Sequence, residues 1–292
     1  SSVRHRHADG HDFHLSADQV DLSTERGDMK VSRSTIIALP PETIWAEVQT
    51  ASLLMHIAWP LVRFMPASNQ PFEKFKPGGR YPVKLRLFGI IPFGTQWIVT
   101  SVHEPDTGNW PKRLRDNGHS ALISKWDHWI TIAPAEDGGT YYRDEVDIAA
   151  GIITPFIWGF AQLFYWHRQR RWRVLAHTLV ARRLIACEMA AFAASREKGD
   201  VAGAWRSLER AHIVSQPYLG PHLANHWAML GFAVEQSDWR EVAGQLVRLA
   251  LAPLGALTGR IPVGNTGRSN ISAFGPMPIP EDLLTKIEGA SE

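Results

Sequence analysis

Apolar and polar positions divide the chain into two unlike halves. Residues 31–39 (VSRSTIIAL) are rich in β-branched side chains and read as a strand. Pro40 and Pro41 then open a helix whose apolar face is Ile44, Trp45 and Val48, with Glu42 in its first turn. A looser, proline-broken segment runs to about residue 76. Strands follow at 80–88, 95–103, 121–133 and 140–148, punctuated by turns at Pro92 to Gly94 and Glu136 to Gly139. One long helix, roughly 152–184, closes this half. From there the period is purely helical, over 185–198, 201–215, 221–235 and 238–251, with breaks at Gly199-Asp200 and Ser237-Asp238.

A strand, a helix, a run of antiparallel strands and a closing helix is an α+β order, without the alternation of βα units. It predicts one antiparallel sheet curved around the long helix, with an apolar cavity between them. Trp97, Trp126, His128, Phe156 and Phe160 are the expected lining. The second half predicts a small all-α domain of helical hairpins. The expected divisions are 1–28, a polar disordered leader or cloning remnant carrying His5, His7, His11 and His14; 29–184, a ligand-binding domain; and 185–292, a helical domain with an ordered C-terminal loop.

The segments IALPPETIWAEV and WDHWITIAPAEDGGTYYRDEVDI, in that order before a long helix, resemble the helix-grip superfamily, SRPBCC or START-like, over about residues 30–182. That superfamily includes polyketide cyclases, lipid carriers and aromatic-ring hydroxylase subunits, so the resemblance implies a fold and leaves binder and enzyme both open. ERAHIVSQPYLGPH, HWAML, VGNTGRSN and PMPIPEDL resemble a bacterial family of unknown function over about residues 185–285. That resemblance implies no activity; it implies that the His and Glu positions and the GNTG loop belong to a family pattern.

Composition narrows the function. The chain is 45% hydrophobic, enough for two cores. Its single cysteine, Cys187, cannot form an internal disulfide, which points to a reducing, cytoplasmic setting. A net charge of +2 gives no argument for nucleic acid. Residues 148–166 carry no charge but are interrupted by Gly151, Pro155, Gly159 and Gln162, so a buried helix explains them better than a membrane span. The arginines of HRQRRWR at 167–173 surround their helix. Salt bridges are the expected account, with weak contact between 148–173 and an anionic membrane surface as the other.

Two constellations carry candidate chemistry. Alternation places His128 with Trp126, Ile130 and Ile132 on one strand face, and Asp144 with Tyr142, Val146 and Ile148 on a face of the next. A His128–Asp144 pair would be either a structural hydrogen bond or a general base with its orienting carboxylate. In the helical half, Glu209 and His212 are three apart, and His222 and His226 four apart, each pair on one helical face. Their angles point them into one small core, as ligands for one zinc or iron ion or as a buried hydrogen-bond network. Glu241 and Gln245 are expected on the outer side of their helix, opposite an inward face of Trp239, Val242, Ala243 and Leu246. Asn265 and Thr266, in a Gly-bounded loop, are candidates for a lid or a weak anion nest.

Two functions fit these features. One is a binding protein holding a small hydrophobic or aromatic ligand in the first half. The other is a metal-dependent enzyme of oxygenase, hydrolase or cyclase type, using the helical site on a ligand delivered by the cavity.

Overall fold

The computed structural model describes residues 28–67, 73–105, 108, 110–136, 138–258 and 262–288. The leader histidines His5, His7, His11 and His14 lie outside these residues.

The sheet holds seven antiparallel strands: β1 (Met29–Ile37), β2 (Val62–Pro66), β3 (Arg80–Leu87), β4 (Ile91–His103), β5 (Lys112–Ser120), β6 (Lys125–Pro134) and β7 (Thr140–Ala149). Their order is β1-β7-β6-β5-β4-β3-β2, so consecutive strands are hairpin neighbours except at β1, whose chain crosses to the far edge before β2. That crossing is made by α1 (Pro41–Val48) and α2 (Ala51–Ala58), with Thr50 Oγ1 accepting from Leu53 N to cap α2. The sequence pattern left α2, β2 and β5 as irregular chain; here they complete the wall.

The long helix α3 (Thr154–Glu197) lies across the same face. Its first half buries Ala161, Phe164 and Tyr165 against Val31, Val146 and Ile148. Trp172 and Ala176 pack next onto Ile37, Leu114, Ile132 and Tyr142, together with Ile44 of α1 and Leu53 of α2. This is the helix-grip α+β fold, followed by a helical region.

α3 does not break at residue 184. It runs for 44 residues in all, because RRLIACEMAAFAASRE contains only residues compatible with a helix and no Gly or Pro. It ends at Lys198, where Gly199 turns the chain with φ +71° and the Asp200 carboxylate accepts from Gly203 N to start α4 (Val201–Ser215). The boundary expected at 184 therefore falls inside one helix, and the two cores share it. Phe192, near its end, packs with Trp205 and Leu208 of α4 and with Met229 and Phe232 of α5 (Leu219–Glu235).

The next helix, α6 (Trp239–Thr258), reverses the expected orientation. Glu241, Gln245, Arg248 and Ala252 are buried, whereas Trp239 and Leu246 are exposed. Spaced i, i+4, i+7 and i+11, the buried set forms a stripe facing the loop 262–280, whose carbonyls and hydroxyls satisfy it. On α5, Trp227 points outward, while His222 and His226 are buried. The tail ends in a short helix, α7 (Glu281–Glu288), which seats Leu283 beside Ala181 of α3 and Ile213 of α4. No helix among the described residues is long and apolar enough to cross a membrane.

Candidate functional site

The concave face of the sheet and the first half of α3 enclose a cavity of about 260 Å³. It is lined mainly by apolar side chains, among them Leu53, Ile57, Val62, Ile98 and Ile130. Trp126, His128, Phe156 and Phe160 all line it, with the exposed Phe156 at its rim. Trp97 does not. Along β4 the inward positions are Gln96, Ile98 and Thr100, and alternation turns Trp97 to the outer face, where it stacks on His119 beneath Arg80.

One corner of this cavity is polar. His128 Nε2 lies 2.8 Å from Asp144 Oδ1. Asp144 is almost fully buried and also accepts from Tyr142 Oη at 3.2 Å and from Gln169 Nε2 at 3.0 Å. Arg168 Nη2 stands 3.8 Å from the same carboxylate. Burial alone would raise the Asp144 pKa, but Arg168 and the hydrogen bonds from His128 and Gln169 outweigh it and hold the group below its ordinary value. The opposite holds for His128. Desolvation keeps the imidazole below its ordinary value despite the neighbouring carboxylate. The pair is therefore a neutral imidazole donating to a carboxylate, with Nδ1 left as its basic nitrogen.

Asp116 is a second cavity carboxyl, and the sequence reading passed over it. It accepts from Val99 N at 2.8 Å. It keeps part of its surface open to the cavity yet sits deep in the protein, and desolvation pushes its pKa up to about 7. Arg168 also lines the cavity, buried, with Tyr165 beneath its guanidinium at 5.2 Å. Of the arginines around α3, this one pairs inside the protein, and Arg171 bonds the His56 carbonyl.

The helical half builds a second cluster. His212 from α4 and His222 and His226 from α5 are all buried and bring their rings together. His212 Nε2 is 3.2 Å from His226 Nε2 and 3.0 Å from His222 Nε2. Desolvation above all holds the three below the ordinary imidazole value, His222 at about 4. Glu209 does not join them. Its carboxylate is engaged by Arg268 at 3.2 Å, and that guanidinium lies 3.8 Å over the Trp205 ring. The acid linked to the cluster is instead Glu241, two hydrogen bonds from His226 through Gln245.

Asn265 organises its loop. Its carbonyl accepts from His212 Nδ1 at 2.8 Å, its amide donates to the carbonyls of Ser272 and Gly275, and its Oδ1 accepts from Gly267 N. Thr266 Oγ1 is buried. Gly264 N is likewise taken, by Gln216 Oε1, so two of the amides an anion nest would need are already used.

Residues 35–176 match a family described as "Domain of unknown function (DUF8410)", and residues 179–287 one described as "Protein of unknown function (DUF3703)". No curated protein matches the chain. Among solved structures, the chain is similar to a START superfamily protein from Mycobacterium smegmatis at 15% identity, over 51% of this chain and 98% of that one, with a TM-score of 0.36. It is also similar to Ara h 8.0201 at 11% identity, over 51% and 98%, with a TM-score of 0.36. A protein from Chromobacterium violaceum aligns at 15% identity over 50% of this chain and 96% of its own, with a TM-score of 0.38.

Proposed function

We propose that the chain is a binding protein of the helix-grip type whose cavity holds one small apolar or aromatic molecule carrying a single oxygen-bearing group. The observation that supports this most directly is the division of the cavity wall. Aliphatic and aromatic side chains form most of it, and Asp116, His128 and Arg168 meet at one corner. Its volume of about 260 Å³ is just below the ~300–1,000 Å³ common for small-molecule sites. Burying the ligand body supplies the affinity, and the corner sets its orientation.

Two of the three corner groups favour an acceptor. Arg168 only donates, and Asp116 donates while it carries its proton, below about pH 7. A carbonyl, ether or hydroxyl oxygen suits both.

The alternative in which the helical half acts on a ligand delivered by the cavity gains no support from geometry. Among the described residues, none lines both the cavity and the small hollow at the histidine cluster. The membrane-surface reading is not needed for Arg168, which is paired internally.

Native mass spectrometry of the full chain tests the proposal, together with titration of an apolar fluorescent naphthalene probe. One retained or bound molecule per chain is expected, and Ile157→Trp, which fills the cavity from α3, abolishes it. A wild-type chain that neither retains a ligand nor takes up the probe would sink the proposal.

A further inference from the structure

The hydrogen bonds around the histidine cluster fix its protonation. His212 Nδ1 faces the Asn265 carbonyl at 2.8 Å, and a carbonyl only accepts, so Nδ1 carries the proton. His226 Nδ1 faces Gln245 Oε1 at 2.7 Å. The Gln245 amide cannot be the other way round, because its nitrogen donates to Glu241 Oε1 and to the Gly267 carbonyl, both acceptors. So His226 is also protonated on Nδ1. Two bare Nε2 lone pairs therefore point at each other across 3.2 Å.

His222 cannot relieve this. It can donate from Nε2 to His212 at 3.0 Å, but its Nδ1 is buried without a hydrogen-bond partner among the described residues. In either tautomer the His212–His226 contact stays unsatisfied. Charging one ring would bury an imidazolium with no carboxylate in contact among the described residues, since Glu209 is held by Arg268 and Glu241 stands behind Gln245.

From this convergence we infer that His212, His222 and His226 form a zinc site, each ligating through Nε2. The site goes beyond the cavity reading and is independent of it. One divalent cation accepts all three lone pairs. Tetrahedral Zn–N bonds of about 2.0–2.1 Å put ligand nitrogens roughly 3.3 Å apart; two of the three separations here are 3.0 and 3.2 Å, and all three ligand atoms lie within 4.8 Å of one another. Three neutral nitrogens without a carboxylate favour zinc over iron, since Glu209 is held by Arg268 and Glu241 stands behind Gln245. Two of the three rings have the outer partners that metal-bound histidines use: a backbone carbonyl for His212, and a Gln245–Glu241 relay for His226. The three rings line a hollow of about 60 Å³, bounded also by Arg248, Ala252 and Phe274. It has room for a water as fourth ligand.

The test uses the full chain with His5, His7, His11 and His14 all changed to Gln, which removes metal binding by the leader. The protein is stripped with chelator, then titrated with zinc chloride and separately with cobalt chloride. Expected results are one zinc per chain, the strong visible absorption of four-coordinate cobalt, and a higher unfolding temperature with zinc. His222→Ala should lose at least about 100-fold in zinc affinity, and Gln245→Ala about 10–100-fold. No zinc uptake and no thermal shift in the parent chain would overturn the inference. Unchanged affinity in His222→Ala would do the same. If His222→Ala does not fold, the cobalt spectrum and thermal shift of the parent still decide.

Discussion

His128 and Asp144 hydrogen-bond at 2.8 Å although they are not opposite one another in the sheet. The register of β6 and β7 pairs His128 with Val146 and Ile130 with Asp144, so the contact is a diagonal one on the inner face. Asp144 thereby gathers His128, Tyr142 and Gln169 and faces the Arg168 guanidinium. Replacing it strands a buried arginine. Asp144→Ala should cost about 3–5 kcal/mol in denaturant unfolding, against a smaller loss for Tyr142→Phe, which removes one hydrogen bond worth about 1 kcal/mol. Equal losses would mean that the carboxylate is not the hub of this corner.

Asp116 gives a pH signature with a definite sign. In the folded chain its carboxyl holds a proton up to about pH 7, whereas in the unfolded chain it ionises from its ordinary value of 3.8. Between these values the unfolded state binds fewer protons, so stability falls as pH rises through the window, and the loss is complete above about 7. The ceiling on the effect is about 4 kcal/mol, reduced by the contact of Asp116 with the cavity. Arg168 opposes the shift, and Asp127 adds to it. Asp116→Asn keeps an acceptor for Val99 N and removes the titration. The variant should match wild type near pH 4, exceed it increasingly up to about pH 7 and level off above, measured by urea midpoints. A constant difference across that range would contradict the assignment.

What the sequence revealed follows from which forces act locally. The Glu-x-x-His and His-x-x-x-His spacings put three imidazoles on inward helical faces, and helical periodicity alone was enough to see it. β5 was hidden for the opposite reason. In KRLRDNGHS the positions alternating with Leu114 are Lys112, Asp116, Gly118 and Ser120, so alternation shows no apolar face. The α6 error has a tertiary cause. Its polar stripe is buried because the loop 262–280 supplies acceptors from far along the chain, and no pattern within the helix reports that. Arg168 stood in a run of arginines, and only the fold distinguishes the one facing Asp144 from those facing solvent.

Gly267 holds the loop against the cluster. Its φ is +81°, and a Cβ there would meet His212 Cδ2 at 2.7 Å and Nε2 at 2.8 Å. Gly267→Ala therefore carries both backbone strain, about 1–3 kcal/mol, and a collision with the ring. The expected outcome is a lower unfolding temperature and weaker zinc binding together. Gly275→Ala, whose Cβ would meet only ordinary contacts beginning at 3.7 Å, should leave zinc affinity unchanged. Similar affinities for the two variants would show that the loop does not position His212.

The two nearby glutamates separate a ligand role from a supporting one. Glu209 bonds Arg268, which also pairs with Glu241 Oε2 at 3.2 Å. Glu241 in addition accepts from Gln245 Nε2, Ser269 N and Ser269 Oγ. Burial would lift its pKa, but these hydrogen bonds and Arg268 keep it ionised, below its ordinary value. Glu241 thus fixes the amide of Gln245, and Gln245 fixes the tautomer of His226. Glu209→Gln should leave zinc stoichiometry and affinity as they are, because its carboxylate never reaches the imidazoles. Glu241→Ala frees Gln245 to rotate and should lower zinc affinity about 10-fold or more while keeping one zinc per chain. Competition against a chromophoric zinc indicator reads both variants. A loss confined to Glu209→Gln would restore Glu209 as a ligand and remove the relay.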